Sequence, residues 1–296
     1  VDVGFVGLGV MGLPMSRHLL LAGHRVTVSS RSPSPVERAV GYGARDGSSP
    51  LGVAEAADVV VLCVPSSPDV SAVVASMLPA LGPGKTVVDC STIDPDVERE
   101  QHALVSGVGA AYLDAPLSGG SVGAENGTLT LMVGGSASVL DAARPALEAF
   151  SRLIVHVGGP GMGQVVKLCN NLVYAAQMQA TAEAFTLASR SGADLAKTLE
   201  VLLHSTGDCT AVRTRVPYEG VQPEAPASNG WRPGFTTDLM AKDLDLALAY
   251  ADRAGVDLET TRIVRATLRA ATEAGWGRED FSALGKVVRD KAERAR

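Results

Sequence analysis

Seven short apolar runs constrain this chain more than any other feature. They are "VDVGFVG", "HRVTVSS", "ADVVVLCVP", "KTVVDCS", "AAYLDAP", "TLTLMVGG" and "RLIVHVG", and all lie before residue 159. Each is strand-sized and most are rich in valine. Helical patterns separate several of them, at residues 11–22, 96–106 and 136–150. Valine-rich strands alternating with helices predict a mostly parallel sheet covered on both faces. After Gly163 the strand signals stop. Residues 164–191 contain neither Pro nor Gly and predict one helix about 40 Å long. Further helical patterns cover residues 194–203, 238–254, 258–274 and 281–294. The fold class expected is therefore α/β followed by all-α, with a long helix joining the two. "VGGPGMG" marks the boundary, giving a first domain at residues 1–162 and a second at 163–296. The loop at residues 216–235, "VPYEGVQPEAPASNGWRPGF", is too long for an ordinary connector, and such loops often carry function.

Composition narrows the function classes. The chain has 296 residues, is 46% hydrophobic and 20% charged, and carries a net charge of -6. It can bury sizeable cores, and its Lys and Arg form no dense block, which argues against a nucleic-acid partner. No apolar run is long enough to span a bilayer, and no signal peptide is recognisable. Cys63, Cys90, Cys169 and Cys209 form no close pair and no metal-ligand cluster. Three sit in apolar runs and are expected to be buried, reduced thiols. A cytoplasmic protein without membrane or metal is the expectation. A helix as long as residues 164–191 often packs against a second subunit, so a homo-oligomer is expected.

"GLGVMG" follows the first strand and opens the first helix, placing Gly7, Leu8, Gly9, Val10, Met11 and Gly12 in a βα turn. Gly7 permits the tight turn, Gly9 lets backbone approach a pyrophosphate, and Gly12 lets helix and strand pack. The pyrophosphate would meet unpaired N–H groups at the helix start. After the second strand an NAD site usually carries an acid for the ribose 2′-hydroxyl. Here stand Ser30, Arg31 and Ser32, and the next acid is Glu37. Arg31 can pair with a 2′-phosphate where a carboxylate would repel it. NADP is thus favoured over NAD. Val64, Pro65 and Thr92 leave later strands at the same sheet edge, where ligands of such sheets bind. Ordinary turn chemistry explains those residues equally well.

A dinucleotide site without a metal cluster suggests hydride transfer, and an alcohol substrate then needs a proton acceptor. The five histidines include no pair at ligand spacing. In "GQVVKLCNN", Lys167 and Asn171 are four apart and share a helix face, with Asn170 close by. A lysine there can act as a base if it is partly desolvated. A lysine that carries its amine to solvent from an apolar helix fits the segment just as well. Ser118, Gly119 and Gly120, in "DAPLSGGSVGAENGTL", would present backbone N–H groups to a substrate carboxylate; a flexible glycine turn is the alternative. In "LMAKDLDLA", Lys242 could reach cofactor or substrate, or with Asp243 form a surface ion pair of little energy.

Together "GFVGLGVMGLPM", "CSTIDP", "DAPLSGGSVGAENGTLTLMVGG", "GMGQVVKLCNN" and "LMAKDLDLA" occur in the order seen in the β-hydroxyacid dehydrogenase family. The resemblance covers essentially the whole chain. "APASNGWRPGF" and "DFSAL" look most like the members that act on 3-hydroxyisobutyrate. It implies a Rossmann domain, a long helix and an all-helical domain, assembled as homodimers or homotetramers. It implies Lys167 as the catalytic lysine, Ser118, Gly119 and Gly120 as the substrate-carboxylate loop, and Asn171 as the residue that orients substrate. The glycine loop, Val64, Pro65, Thr92 and Lys242 match cofactor-contacting positions. A 3-hydroxyisobutyrate substrate would place the enzyme in valine breakdown. Two departures stand out. At Asp69 those members often have asparagine, and after the second strand they usually carry an acid and use NAD. "SSRSPSP" is more like the family's NADPH-dependent reductases of glyoxylate, succinic semialdehyde or tartronate semialdehyde. Imine reductases of the same fold generally lack the lysine, and some family-like domains that serve as non-enzymatic scaffolds have lost it.

Overall fold

The computed structural model describes residues 1–294. The chain forms two compact units, Val1–Lys167 and a second from Leu168 onward. In the first, strands and helices alternate: β1 (Asp2–Val6), α1 (Gly12–Leu21), β2 (Arg25–Ser29), α2 (Pro33–Gly41), β3 (Arg45–Asp46), α3 (Pro50–Ala56), β4 (Val59–Leu62), α4 (Ser67–Met77), β5 (Thr86–Asp89), α5 (Pro95–Gly107) and β6 (Ala111–Asp114). Then come β7 (Leu117–Ser118), α6 (Gly120–Asn126), β8 (Leu129–Gly134), α7 (Ala137–Leu147), β9 (Ser151–Gly158) and the long helix α8 (Met162–Arg190).

One sheet has the order β3-β2-β1-β4-β5-β6-β8-β7, with β9 also pairing β8. The strands from β3 to β6 are parallel. β8 runs antiparallel to β6 and β7 and parallel to β9. The valine runs explain the burial. Along β4, Val59 and Val61 face one core while Val60 and Leu62 face the other, so both faces of the central strand are apolar and covered. The chain leaves β1 toward β2 on one side and reaches β4 on the other. That reversal puts a ligand-binding crevice at the carboxyl ends of β1 and β4.

The second unit is helical: the remainder of α8, then α9 (Leu195–Leu203), α10 (Thr210–Thr214), α11 (Thr237–Ala254), α12 (Glu259–Ala271) and α13 (Leu284–Arg294). Met178, Met240, Leu244, Leu268 and Phe281 lie in its core. The helix expected over residues 258–274 stops earlier, because the chain widens into a π turn at Thr272–Trp276 where Gly275 takes φ 90°. The pattern over residues 281–294 begins with a 3₁₀ turn, Phe281–Ala283. No helix among the described residues is long and apolar enough to cross a membrane.

The Pro/Gly-rich loop at residues 216–235 is packed: Tyr218 and Trp231 are buried, and Gly234 and Phe235 donate backbone N–H groups to buried Asp280. One expectation is corrected. Cys90 is a buried thiol as expected, but Cys169 is exposed on α8 and Cys63 and Cys209 are half-buried. Helical periodicity, not local apolarity, decides which α8 residues reach the core.

Candidate active site

The glycine turn is shaped by three different needs. Gly7 has φ 100°, and a Cβ there would stand 2.3 Å from the Cys63 carbonyl oxygen. A Cβ on Gly12 would stand 1.9 Å from the Gly7 carbonyl oxygen. At Gly9 a Cβ would meet nothing within 4 Å. Two glycines therefore serve packing, and the middle one leaves backbone bare toward open space, as close approach of a pyrophosphate requires. Leu8 is buried and Val10 exposed, so Leu8 offers a ligand only its backbone; Met11 packs partly against the core. Gly7 N–H donates to the Ser29 carbonyl at 3.0 Å, and Leu8 N–H to Ser30 Oγ at 3.4 Å. Ser30 thus braces the turn. Ser32 stands at the start of α2 with no side-chain capping bond. Arg31 is exposed, and its Nη1 lies 3.2 Å from Asp69 Oδ1. The other Asp69 oxygen accepts from Ser66 Oγ at 2.5 Å.

The turns after β4 and β5 are tied together. Val64 N–H donates to Ser91 Oγ at 2.9 Å, and Ser91 N–H donates to Asp89 Oδ1 at 2.8 Å. These bonds place Val64 and Pro65 beside Ser91 and Thr92, at the strand ends that face the crevice. Beneath them three carboxyls are buried: Asp89, Glu98 and Asp114. Burial pushes the Asp89 carboxyl up to about 6, against the pull of Ser91's donors. Burial, then the charges of Asp89 and Asp114, holds Glu98 well above the usual carboxylate range. Asp114 is also raised by burial, although N–H groups of Gly161 and Gln164 draw it back. Those two N–H groups, at 2.9 and 3.1 Å, make Asp114 an acceptor for the first turn of α8. A carboxylate there satisfies helix N–H groups that have no partner within the helix.

Lys167, one turn further along α8, is buried. Burial disfavours the reading in which its amine simply reaches solvent. Its apolar neighbours divide: Leu168 is buried and Val166 exposed. Lys167 is the last residue of the first unit, and Asn171 lies in the second, one turn on along the same helix. Asn171 is buried; its Nδ2 donates to Asp243 Oδ2 at 2.6 Å, and its Oδ1 accepts from Asn170 at 3.0 Å. Asp243 Oδ1 lies 3.1 Å from Lys242 Nζ. The surface ion pair considered for Lys242 and Asp243 is therefore not one, because Asp243 is buried. Ser118 ends β7, paired with Thr130 of β8. Gly119 and Gly120 follow with φ 133° and 60° and open α6. The segment is a strand end turning into a helix, built on backbone that other residues rarely adopt.

Sequence reasoning did not single out Gln164, Asp114, Ser91 or, as a buried acceptor, Asp243. Gln164 had a usable signal: a polar residue three before Lys167 in an apolar run, hence near it on the helix surface.

A doubly wound sheet with this bare-backbone glycine turn defines a dinucleotide-binding protein of the Rossmann class. Comparison with known proteins sharpens the class. Residues 2–158 match the family described as the NAD-binding domain of 6-phosphogluconate dehydrogenase. Residues 161–288 match the family described as NAD-binding of NADP-dependent 3-hydroxyisobutyrate dehydrogenase. A 3-hydroxyisobutyrate dehydrogenase of Pseudomonas aeruginosa is 40% identical over 98% of this chain and 99% of its own length. An NAD-dependent L-serine dehydrogenase of the same organism is 39% identical over 97% of each. The structure of Mycobacterium tuberculosis 3-hydroxyisobutyrate dehydrogenase with L-serine matches with a TM-score of 0.92 at 39% identity, over 97% of this chain and 99% of that one. The chain belongs to the β-hydroxyacid dehydrogenase family, and is a nicotinamide-dinucleotide-dependent oxidoreductase acting on the CH–OH group of a small hydroxy acid.

Proposed function

We propose that this enzyme interconverts 3-hydroxyisobutyrate and its semialdehyde, with Lys167 as general acid and base and NADP preferred over NAD. The observation that carries the reading is the burial of Lys167, in a chain 40% identical to a 3-hydroxyisobutyrate dehydrogenase. The bound dinucleotide supplies the nicotinamide that accepts or gives the hydride. The turn from Gly7 to Gly12 would hold it, with bare backbone at Gly9 and with Val64, Pro65, Thr92 and Lys242 as further contacts. In oxidation Lys167 Nζ takes the hydroxyl proton as hydride leaves the carbon, and in reduction it returns one. Backbone N–H groups at Ser118, Gly119 and Gly120 receive the substrate carboxylate. Asp243 and Asn170 hold the Asn171 amide in one orientation, which suits a residue that must orient substrate.

Three features support NADP: the missing acid after β2, the exposed guanidinium of Arg31, and the hydroxyls beside it. The Arg31–Asp69 pair is exposed and weak, so a phosphate dianion can draw Arg31 away. L-serine is a second candidate, favoured by the serine dehydrogenase relative and by the mycobacterial structure with L-serine; it too is a 3-hydroxy acid. A homodimer or homotetramer fits α8, which exposes Val166, Val173 and Leu187 at multiples of seven residues.

The test is kinetic. Lys167→Ala should lower kcat by about 10²- to 10⁴-fold while reduced dinucleotide still binds, as read by its fluorescence. Near wild-type kcat in that variant would discard the base assignment. The wild-type enzyme, assayed on 3-hydroxyisobutyrate, L-serine and the small semialdehydes with both cofactors, decides the substrate. A strong preference for NAD would remove the argument built on Arg31.

A further inference from the structure

We propose that Gln164 is the positioning residue of this active site, a clamp that fixes the turn carrying Lys167 against the loop after β5. The inference rests on Lys167 being the base. Gln164 is completely buried, and every polar group it carries is committed. Its Oε1 accepts the Ile93 N–H at 3.2 Å, and its Nε2 donates to the Ser91 carbonyl at 2.9 Å. One amide thus grips both sides of Thr92. The same Nε2 donates to Glu98 Oε1 at 3.0 Å, while the Tyr112 hydroxyl donates to Glu98 Oε2 at 2.8 Å. The backbone N–H of Gln164 donates to Asp114. Ser91 in turn receives the Val64 N–H. Two segments with proposed roles therefore meet at one side chain, the loop at Thr92 and the helical turn ending in Lys167, and the turn at Val64 and Pro65 is tied to them through Ser91.

Such a clamp matters for rate because hydride and proton leave the same substrate. In the proposed site the hydride acceptor would meet the loops after β4 and β5, and the proton acceptor is on α8. Their relative placement decides whether both transfers are in reach, and an error of 1 Å costs about 10²-fold. Gln164 is three residues before Lys167, so it fixes that turn in rotation as well as in height. Asp114 alone holds the helix start through two N–H groups, but it does not touch the Thr92 loop in any bond described above.

Gln164→Met keeps length and volume and removes the three side-chain bonds. Expected is a kcat lower by about 10- to 100-fold, with a clearly smaller loss of affinity for the reduced dinucleotide, since the loops at Val64 and Thr92 loosen but the glycine turn is untouched. Gln164→Glu supplies a second readout. Its carboxyl would face Glu98, and two carboxyls at that distance share a proton in acid and repel when both ionise. Its activity relative to wild type should therefore fall as pH rises, while the relative activity of Gln164→Met stays flat. Thermal melts of Gln164→Glu at each pH separate the two roles: a positioning loss lowers kcat while the protein stays folded at the assay temperature, and a merely structural loss follows the unfolded fraction. Wild-type kcat in Gln164→Met, a loss of cofactor affinity as large as the loss in kcat, or a pH-independent ratio for Gln164→Glu would each overturn the clamp. If Gln164→Met does not fold, Gln164→Glu in acid carries the test. Lys167→Ala, run alongside, separates the two ideas. If it stays active, the base assignment fails; if it is inactive while Gln164→Met is normal, the clamp alone fails.

Discussion

The two units bury acids in opposite ways. In the first, Asp89, Glu98 and Asp114 are packed together, and none of them forms an ion pair with Lys or Arg among the described residues. Their partners are neutral donors: Ser91, Tyr112, Gln164 and backbone N–H groups. In the second, the buried acids face cations. Asp280 takes the guanidinium of Arg215, together with N–H groups of Gly234, Phe235 and Ser282. Asp243 takes Lys242 and the Asn171 amide. A charge in apolar surroundings must be paired or lose itself by titration. The first unit takes the second course, and its carboxyls hold protons more tightly than exposed ones do. In the second unit the buried acids meet cations and donors brought from distant segments.

The largest effect should come from breaking the paired site. Asp280→Ala leaves the half-buried Arg215 without its carboxylate partner and cuts the tie to the loop at residues 216–235. Removing one member of a buried pair costs about 3–5 kcal/mol. Arg215 also donates to the Tyr174 hydroxyl at 2.6 Å, and Tyr174 packs edge-on against Phe281, so the damage reaches the core of the second unit. The chain's two tryptophans, Trp231 and Trp276, both lie there, and urea unfolding followed by their fluorescence reads this unit. A loss below about 1 kcal/mol would mean that Asp280 is not the anchor, and the contrast would collapse.

The unpaired site should respond with the opposite sign. Because burial raises Asp89 from 3.8 to about 6, the folded state holds its proton more tightly than the unfolded chain. That contribution is complete below about pH 4 and is lost as pH rises through 6, leaving a penalty on the order of 3 kcal/mol at pH 7. Asp89→Asn keeps the acceptor for Ser91 N–H and replaces Oδ2, which has no donor among the described residues. It should therefore gain stability over wild type between pH 4 and pH 7. Denaturation followed by far-UV circular dichroism at both values measures the difference. A variant less stable at pH 7 than at pH 4, relative to wild type, would show that Asp89 is held as a charge.

Much of this was legible in the chain before its fold was known, and the illegible part has one cause. Strands such as β4 announced themselves because a strand buried on both faces must be apolar throughout. "GLGVMG" was legible because the turn demands glycine at fixed spacing, whereas the segment around Lys167 left a base and a solvent-reaching lysine equally open until the fold buried the side chain. The resemblance added roles to Ser118, Gly119, Gly120 and Asn171 that spacing alone left open. What stayed hidden is polar burial. Nothing local distinguishes Asp243, buried against Asn171, from the aspartates along the same helix that face water. Gln164 looks like any helix-forming residue until Ser91 and Ile93 are brought to it from 73 and 71 residues away. Long-range partners decide whether a polar side chain is a hub or a solvated face, and those are properties of the fold.

The smallest effect should come from the acids that resemble the paired site on paper but sit in water. Asp245 on α11 receives both Nε and Nη2 of Arg265 on α12, at 2.5 and 2.8 Å. The geometry is bidentate, as good as any in the second unit, yet the Asp245 side chain is 54% exposed. In that setting solvent screens the attraction, and holding two long side chains in one arrangement costs entropy. Asp245→Asn should cost less than about 1 kcal/mol, and the difference from wild type should shrink further in 1 M salt, where screening acts within about 3 Å. The same tryptophan-monitored urea unfolding compares it directly with Asp280→Ala. If the two substitutions cost the same, burial is not what separates the acids of this unit, and the pairing itself, wherever it sits, would be carrying the stability.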